Sequence, residues 1–482
     1  MNQILSRRTK IVATLGPATD DPATLEAALR AGVDVARINF SHGGEEHAGR
    51  IARFRAAAKR VGKFAAVLAD LPGPKLRVTI TAPRDLTIGD EVHFSFDAAP
   101  IQPGDLTLTE PEILADVRPG HRMLLDDGRM QLEALGTNGS RLTARVMVGG
   151  TLKPNKGLNL PDTPLTIASV TQRDRVALAA AAKAGVDWVA LSFVRGPEAA
   201  DEVRAAMAEV GLNVPIIAKM ERPEAVGRAA AIVAAFDGIM VARGDLGVEI
   251  PLERVPIVQK MLIAEARAAG KPVITATDML DSMRENPRPT RAEASDVANA
   301  IFDGTDAVML SGETAVGKYP LDAIACMHRI AVEAETHLMQ SGAARRDWFN
   351  RASEELDDPI TQAVCDLAAE ANASAIVVPT LTGRLARLVV RHRPWVRVVA
   401  VAPVDAVLQG LALVWGVQPV RMTPTAAGVD RLSTAVRDAF EAGTVQLGER
   451  IIVVAGHPIE GGPRFPTVRV VRVGEGGTST EP

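Results

Sequence analysis

Eight short apolar or β-branched runs recur along the first two thirds of the chain, each followed by an Ala-rich stretch of helical period. They are KIVATLG (10–16), VDVARINF (33–40), FAAVLADL (64–71), DWVALSFV (187–194), VPIIAKM (214–220), GIMVARG (238–244), KPVITAT (271–277) and DAVMLSG (306–312). Near-continuous apolar runs alternating with helical segments predict βα units around a parallel sheet. Eight such units predict a closed (β/α)8 TIM barrel.

Between the third and fourth runs the pattern changes. Residues 75 to about 165 are rich in Gly, Pro and Asp and alternate polar with apolar, as in EVHFSF and RLTARVMV, with turn pairs at DDG (126–128) and NG (138–139). This predicts a small antiparallel β domain inserted after strand 3. DLPGPKLR (70–77) is its entrance hinge and PNKGLNLP (154–161) lies near its exit. Past residue 345 a second α/β pattern begins, with strands expected at 375–379, 396–402, 451–455 and 467–473. It predicts a C-terminal doubly wound α/β domain. The expected plan is a barrel over 1–71 and 160–344, an inserted β-barrel lid over 72–159, a C-terminal α/β regulatory domain over 345–475 and a disordered tail over 476–482.

Composition narrows the function classes. The 482 residues, 47% hydrophobic and 23% charged, are an ordinary globular mixture. A formal net charge of -4 gives no general reason to expect nucleic acid. The N-terminus lacks a signal-peptide run and no later segment reaches membrane-span length, so a cytoplasmic protein without membrane contact is expected. The two cysteines, Cys326 and Cys365, have no metal-ligand spacing.

Polar residues collect at the carboxyl ends of the runs, where barrels place their chemistry. Run two ends Arg37, Asn39, Ser41; run three ends at Asp70; run five ends in Lys219 and Glu221; run six in ARGDLG, run seven in ITAT, run eight in SGET. Taken singly, Asp70 reads as a turn cap, Lys219 and Glu221 as a solvated ion pair and Asp245 as a helix N-cap. Their common position argues for a site. Glu221 and Asp245 are hard oxygen donors suited to a Mg²⁺ that completes its shell with substrate and water. Gly244 permits close approach and offers amides at a helix start to an anionic carboxylate. Arg37 and Lys219 are cations placed to neutralise a moving phosphoryl group. The residues alone therefore read as a Mg²⁺-dependent barrel enzyme acting on a phosphorylated carboxylate.

At these residues the chain resembles the pyruvate kinase family, over TKIVATLGPAT (9–19), ARINFSHG (36–43), NKGLNLP (155–161), AKMERPEA (218–225), GIMVARGDLGVEIP (238–251) and ITATDMLDSMRENPRPTRAEASDVANAIFDGTDAVMLSGETAVGKYP (274–320). The resemblance implies transfer of a phosphoryl group from phosphoenolpyruvate to ADP, giving pyruvate and ATP, with Mg²⁺ or Mn²⁺, in a homotetramer. It implies that Arg37 binds the phosphoryl group and Lys219 stabilises it in transit. Glu221 and Asp245 would hold the divalent ion, and Gly244, Asp245 and Thr277 the substrate carboxylate. Asn39, Ser41, His42, Arg77 and Lys156 would face the nucleotide. Thr277 and Ser311 are candidates for the proton path to the enolate carbon. A phosphoenolpyruvate-dependent aldolase or phosphomutase is the alternative enzyme reading, and a non-catalytic metabolite sensor the alternative outside catalysis.

Two departures from the family pattern matter. In PTLTGRLARLVV (379–390), similar to the family's phosphate-gripping effector loop, Leu385 replaces a hydroxyl residue, and the later loop reads GHPIEGGPRFPT. A sugar monophosphate or AMP is thus a more natural effector than a bisphosphate. The second departure is at the hinge. Many members hold K⁺ with residues matching Asn39, Ser41, Asp70 and the Leu71 carbonyl, and carry glutamate at the position of Lys75. The reversed charge predicts that the Lys75 ammonium fills this pocket and that K⁺ is not required.

Overall fold

A computed structural model describes residues 7–41, 44, 46–341, 357–424, 430–455 and 467–481. The eight apolar runs form strands β1 (Lys10–Thr14), β2 (Val35–Asn39), β3 (Ala66–Asp70), β4 (Trp188–Leu191), β5 (Ile216–Met220), β6 (Gly238–Ala242), β7 (Val273–Ala276) and β8 (Ala307–Leu310). Each is parallel to both neighbours in sequence order, and β8 pairs with β1 to close the barrel. Closure buries both faces of every strand, which is why these runs are apolar throughout rather than alternating. The Ala-rich stretches become the outer helices, among them Gln172–Ala184 and Arg291–Asp303, which begin with capping boxes from Thr171 to Asp174 and from Thr290 to Glu293.

The inserted segment forms a five-stranded antiparallel sheet and a two-stranded ribbon. Within it Met130–Thr137 pairs with Arg141–Val148 around the Asn138–Gly139 turn. The segment has its own apolar centre, including Phe94, Leu132 and Val146, separate from that of the barrel. Gly73 explains how the chain enters it. At φ +63°, a Cβ there would lie 2.7 Å from Ser192 Cβ, so only glycine lets the hinge pass so close to the end of β4.

The C-terminal unit is a six-stranded sheet ordered β11-β10-β9-β12-β13-β14, where β9 is Ala375–Pro379, β10 Arg397–Ala402, β11 Val417–Arg421, β12 Arg450–Ala455, β13 Thr467–Val473 and β14 Ser479–Thr480. Strand β11 escapes sequence reading because Gln418 and Pro419 interrupt its apolar pattern, which an edge strand tolerates. The tail expected to be disordered is a correction. Ser479 and Thr480 pair with Val473 and Arg472, and the turn at Gly477 packs so tightly on the helix Arg431–Glu441 that a Cβ would come 2.7 Å from Arg437 Cα. Edge pairing and a helix to rest on outweigh the low hydrophobicity of the tail.

This unit closes the floor of the barrel. Ala412 and Leu413 join the cluster of side chains inside the strands, with Val12, Leu68, Trp188 and Ile274. Lys10 Nζ donates to the Val417 carbonyl at 2.8 Å and Arg393 pairs with Asp306 at 3.0 Å. Among the described residues no helix is long and apolar enough to cross a membrane.

Candidate active site

The carboxyl ends of β2, β3, β4 and β5 meet in one charged cluster. Lys219 Nζ donates to Ser192 Oγ at 2.7 Å and lies 3.2 Å from Asp70 Oδ1 and 3.0 Å from Glu221 Oε1. Arg37 donates through Nε to Asp70 Oδ2 at 2.7 Å and through its terminal nitrogen to Thr14 Oγ1 at 2.9 Å. Burial alone would pull the Lys219 pKa down, but Asp70 and Glu221 outweigh it and the ammonium is held raised. Burial would push Asp70 up, yet Lys219 and Arg37 hold its carboxyl below the ordinary range. These are the two protonation states that a phosphoryl-handling pair of cations needs.

Glu221 is fully buried, its Oε2 accepts from the Phe193 amide at 2.6 Å, and its Oε1 faces the Lys219 ammonium at 3.0 Å. Burial raises its pKa to about 7; Lys219 opposes the shift and the Asp245 charge adds to it. Two carboxylates at neighbouring strand ends that repel each other fit a hard divalent cation. No cluster of three or more His, Cys, Asp or Glu side chains that could hold a metal occurs among the described residues, so the remaining ligands would come from substrate and water.

At the ends of β7 and β8 the backbone is unusual. Thr277 has φ +70°, rare for a β-branched residue and a place where strain of about 1–3 kcal/mol is stored. Its Oγ1 donates to the Ala276 carbonyl and accepts from the Gly244 amide, both at 2.6 Å. The Gly244 amide, expected to be open to a carboxylate, is therefore engaged by Thr277. Ser311 Oγ is buried with no hydrogen-bond partner among the described residues.

The nucleotide-facing candidates are split. Asn39 and Ser41 lie at the end of β2, where the Ser41 amide donates to Asn39 Oδ1 at 3.1 Å. Arg77 donates to the Asn155 carbonyl at 2.8 Å and Lys156 pairs with Asp126 at 2.6 Å, both within the inserted segment. No hydrogen bond or ion pair joins these two cations to Asn39 or Ser41 among the described residues, and His42 lies outside those residues.

Lys75 requires a correction. It makes no ion pair with Asp70; its ammonium lies 3.5 Å from Asp245 Oδ1. The expected pocket is already knit together, because Asp70 is held by Arg37 and Lys219, Asn39 Oδ1 by Ser41, and the Leu71 carbonyl accepts from Ser192 Oγ at 2.8 Å. The ammonium is drawn instead to the next carboxylate, Asp245.

Comparison with known proteins decides the family. A model described as "Pyruvate kinase, barrel domain" matches residues 6–324, and one described as "Pyruvate kinase, alpha/beta domain" matches residues 358–471. The chain belongs to the pyruvate kinase family. It is 43% identical over 465 residues to a pyruvate kinase of Geobacillus stearothermophilus, covering 94% of this chain and 78% of that protein. It is 40% identical over 472 residues to a pyruvate kinase of Clostridium acetobutylicum, covering 96% of this chain and 100% of that protein. Membership of the pyruvate kinase family makes the chain a phosphotransferase, with the barrel and C-terminal α/β unit of that fold.

Sequence reasoning missed Thr14, Ser192 and the Phe193 amide. All three sit at carboxyl ends of strand runs, the signal that found the others, but a lone hydroxyl or amide there does not stand out beside charges. The later of the two loops compared with the effector grip, GHPIEGGPRFPT, lies outside the described residues except for Thr467.

Proposed function

We propose that the protein transfers the phosphoryl group of phosphoenolpyruvate to ADP, giving pyruvate and ATP. The observation that carries this reading is Lys219, buried between Asp70 and Glu221 with its proton held, beside Arg37. Arg37 would grip the phosphoryl group in the ground state and Lys219 would stabilise it as charge moves onto its oxygens and onto the leaving enolate. Asp70 orients both cations, and Ser192 fixes Lys219 through its hydroxyl. Glu221 and Asp245 would hold Mg²⁺ or Mn²⁺, which when bound supplies a Lewis acid for the substrate oxygens. Thr277, with Asp245, would face the substrate carboxylate, and the Gly244 amide would join them once it is released from Thr277 Oγ1. Thr277 and Ser311, the latter with an unused buried hydroxyl, would serve the proton path to the enolate carbon. Asn39, Ser41 and His42 with Arg77 and Lys156 would receive the nucleotide once the inserted segment closes and excludes water.

Independence from K⁺ belongs to the same proposal, on an altered argument. Arg37, Lys219 and Lys75 balance Asp70, Asp245 and the ionised form of Glu221, so these six groups sum to zero before any ion enters. A glutamate at 75 would leave them two charges negative and in need of a monovalent cation. By family precedent the protein would be a cytoplasmic homotetramer, which light scattering checks. The test of function is a coupled assay with ADP and phosphoenolpyruvate, Mg²⁺ present throughout, with and without K⁺. Turnover in both arms is expected; no ATP formation would overturn the assignment, and turnover only with K⁺ would overturn the charge argument.

A further inference from the structure

The chain returns from the inserted segment to the barrel along residues 159–167, and two arginines beside the charged cluster grip it there. Arg222 follows Glu221 directly and is buried. Its guanidinium donates to the Leu160 and Thr163 carbonyls, both at 3.2 Å, to Glu224 at 2.8 Å and to Glu249 at 3.0 Å. Arg195, half-buried two residues beyond Phe193, donates to the Leu165 carbonyl at 3.1 Å and to the Ile167 carbonyl. Phe193 is the residue whose amide holds Glu221 Oε2. Glu221 is therefore tied to the returning limb through the residue that follows it and through the loop that holds its carboxylate.

The second carboxylate is tied to the same limb. Asp245 lies in the helix Arg243–Glu249, and Glu249, about one turn beyond it, is buried at the last position of that helix. Glu249 Oε2 accepts from Arg222, and its Oε1 accepts from Asn159 Nδ2 at 2.8 Å. The inserted segment approaches this helix again at the turn around Gly128, where a Cβ would lie 3.6 Å from Val248 Cγ1. Burying a guanidinium between two carboxylates is costly, and apolar side chains of equal volume would hold a limb in place at least as well. What they would lack is direction. The planar fork fixes its donors relative to one another, so it sets the limb, the end of β5 and the helix in one orientation.

We infer that Arg222, Glu249 and Asn159 are positioning residues for the divalent ion, setting the separation of Glu221 and Asp245 from the returning limb of the inserted segment. None of the three has to touch the ion. Outer partners of this kind typically change metal affinity by about 10–100-fold when they are removed. The inference rests on the proposed reading of Glu221 and Asp245 as metal ligands. Because such coupling is reciprocal, an ion held by those carboxylates steadies residues 159–167 in turn.

Mn²⁺ binding, read from the electron paramagnetic resonance signal of the free ion with no substrate present, tests this. Glu221→Gln should abolish binding. Arg222→Lys keeps the charge without the fork and should weaken binding at least about tenfold. Asn159→Leu removes the bond to Glu249 without changing charge and should weaken binding at least about fivefold. Thr166→Val, which cuts the hydroxyl contacts of the same limb to Asp116 at 3.0 and 3.1 Å, should bind as the unmutated protein does. At saturating Mn²⁺, amide hydrogen exchange across residues 159–167 should slow in the unmutated protein and much less in Arg222→Lys and Asn159→Leu. Thermal melting checks folding, and Asn159→Leu carries both readouts if Arg222→Lys does not fold. With binding abolished in Glu221→Gln, three results would each overturn the inference alone: unchanged affinity in Asn159→Leu, equal weakening in Thr166→Val, or exchange slowed equally in every protein. Mn²⁺ binding that survives Glu221→Gln would overturn the metal reading, and this inference with it. Neither measurement needs turnover, so a protein that shows these shifts yet forms no ATP refutes only the proposed phosphoryl transfer.

Discussion

Replacing Lys219 by methionine removes the ammonium while keeping the length of the side chain. At 3.2 Å from Asp70 and 3.0 Å from Glu221, each attraction is worth about 5 kcal/mol at an effective dielectric constant of about 20. Most of that is offset by the desolvation of burying three charged groups, and breaking such a buried pair typically costs about 3–5 kcal/mol. The low end applies here, because Asp70 keeps Arg37 at 2.7 Å and Glu221, already raised to about 7, can take up a proton. Lys219→Met should therefore fold, with stability lowered by about 3 kcal/mol. Its phosphoryl transfer should fall by at least about 10²–10³-fold, the loss typical of removing one preorganised group from a developing charge. Enolisation of pyruvate, in which no phosphoryl group moves, should keep a substantial part of its rate. The two activities are read separately, by the coupled ADP assay and by exchange of pyruvate methyl protons with deuterated water followed by NMR, with Mg²⁺ in both. Equal loss of both would refute a specific role for Lys219 in phosphoryl transfer.

Further expectations follow from single residues. Lys75→Glu should turn the K⁺-independent enzyme into a K⁺-activated one, read as a rise in kcat/KM on adding KCl in place of a tetramethylammonium salt; no K⁺ response would refute the charge balance. Gly73→Ala should lower the thermal midpoint and slow turnover, since its Cβ meets Ser192 Cβ at 2.7 Å at a positive φ; a loss of about 1–3 kcal/mol is expected. Lys10 is buried, and burial lowers its pKa to about 8 from an ordinary 10.5. A base depressed by folding binds fewer protons folded than unfolded, so its penalty of about 3 kcal/mol is full below pH 8 and is relieved as pH rises toward 10.5. Lys10→Met loses the bond to the Val417 carbonyl, worth about 1 kcal/mol, so it should be more stable than the unmutated protein by about 2 kcal/mol at pH 7 and lose that advantage by pH 10. Thermal melts across that range give the answer, and an advantage constant with pH would count against the assignment.

Much of the molecule was legible in the chain before any coordinates. The eight strand runs were visible because a closed parallel barrel buries both strand faces and leaves no polar alternation to confuse the pattern. The site was visible because barrel chemistry concentrates at strand ends, so Arg37, Asp70, Lys219, Glu221, Asp245 and Thr277 could be gathered by position alone. Local rules failed where partners far along the chain decide. Strand β11 forms despite Gln418 and Pro419 because β10 offers it an edge, and the tail is ordered because β13 and the helix Arg431–Glu441 offer it a surface.

Charges were the hardest case. The sequence by itself determined which charged groups reach the cleft, since register along each strand sets which side chains leave at its carboxyl end. Only the tertiary structure decided how they pair. Asp70 reads as a partner for Lys75, five residues away, yet it is taken by Arg37 from β2 and Lys219 from β5, and Lys75 turns to Asp245 beyond β6. Ion pairing in a partly dry cleft is set by distances of a few ångströms between groups from different strands. Those distances are fixed by how the barrel closes, a property that no single stretch of the chain contains.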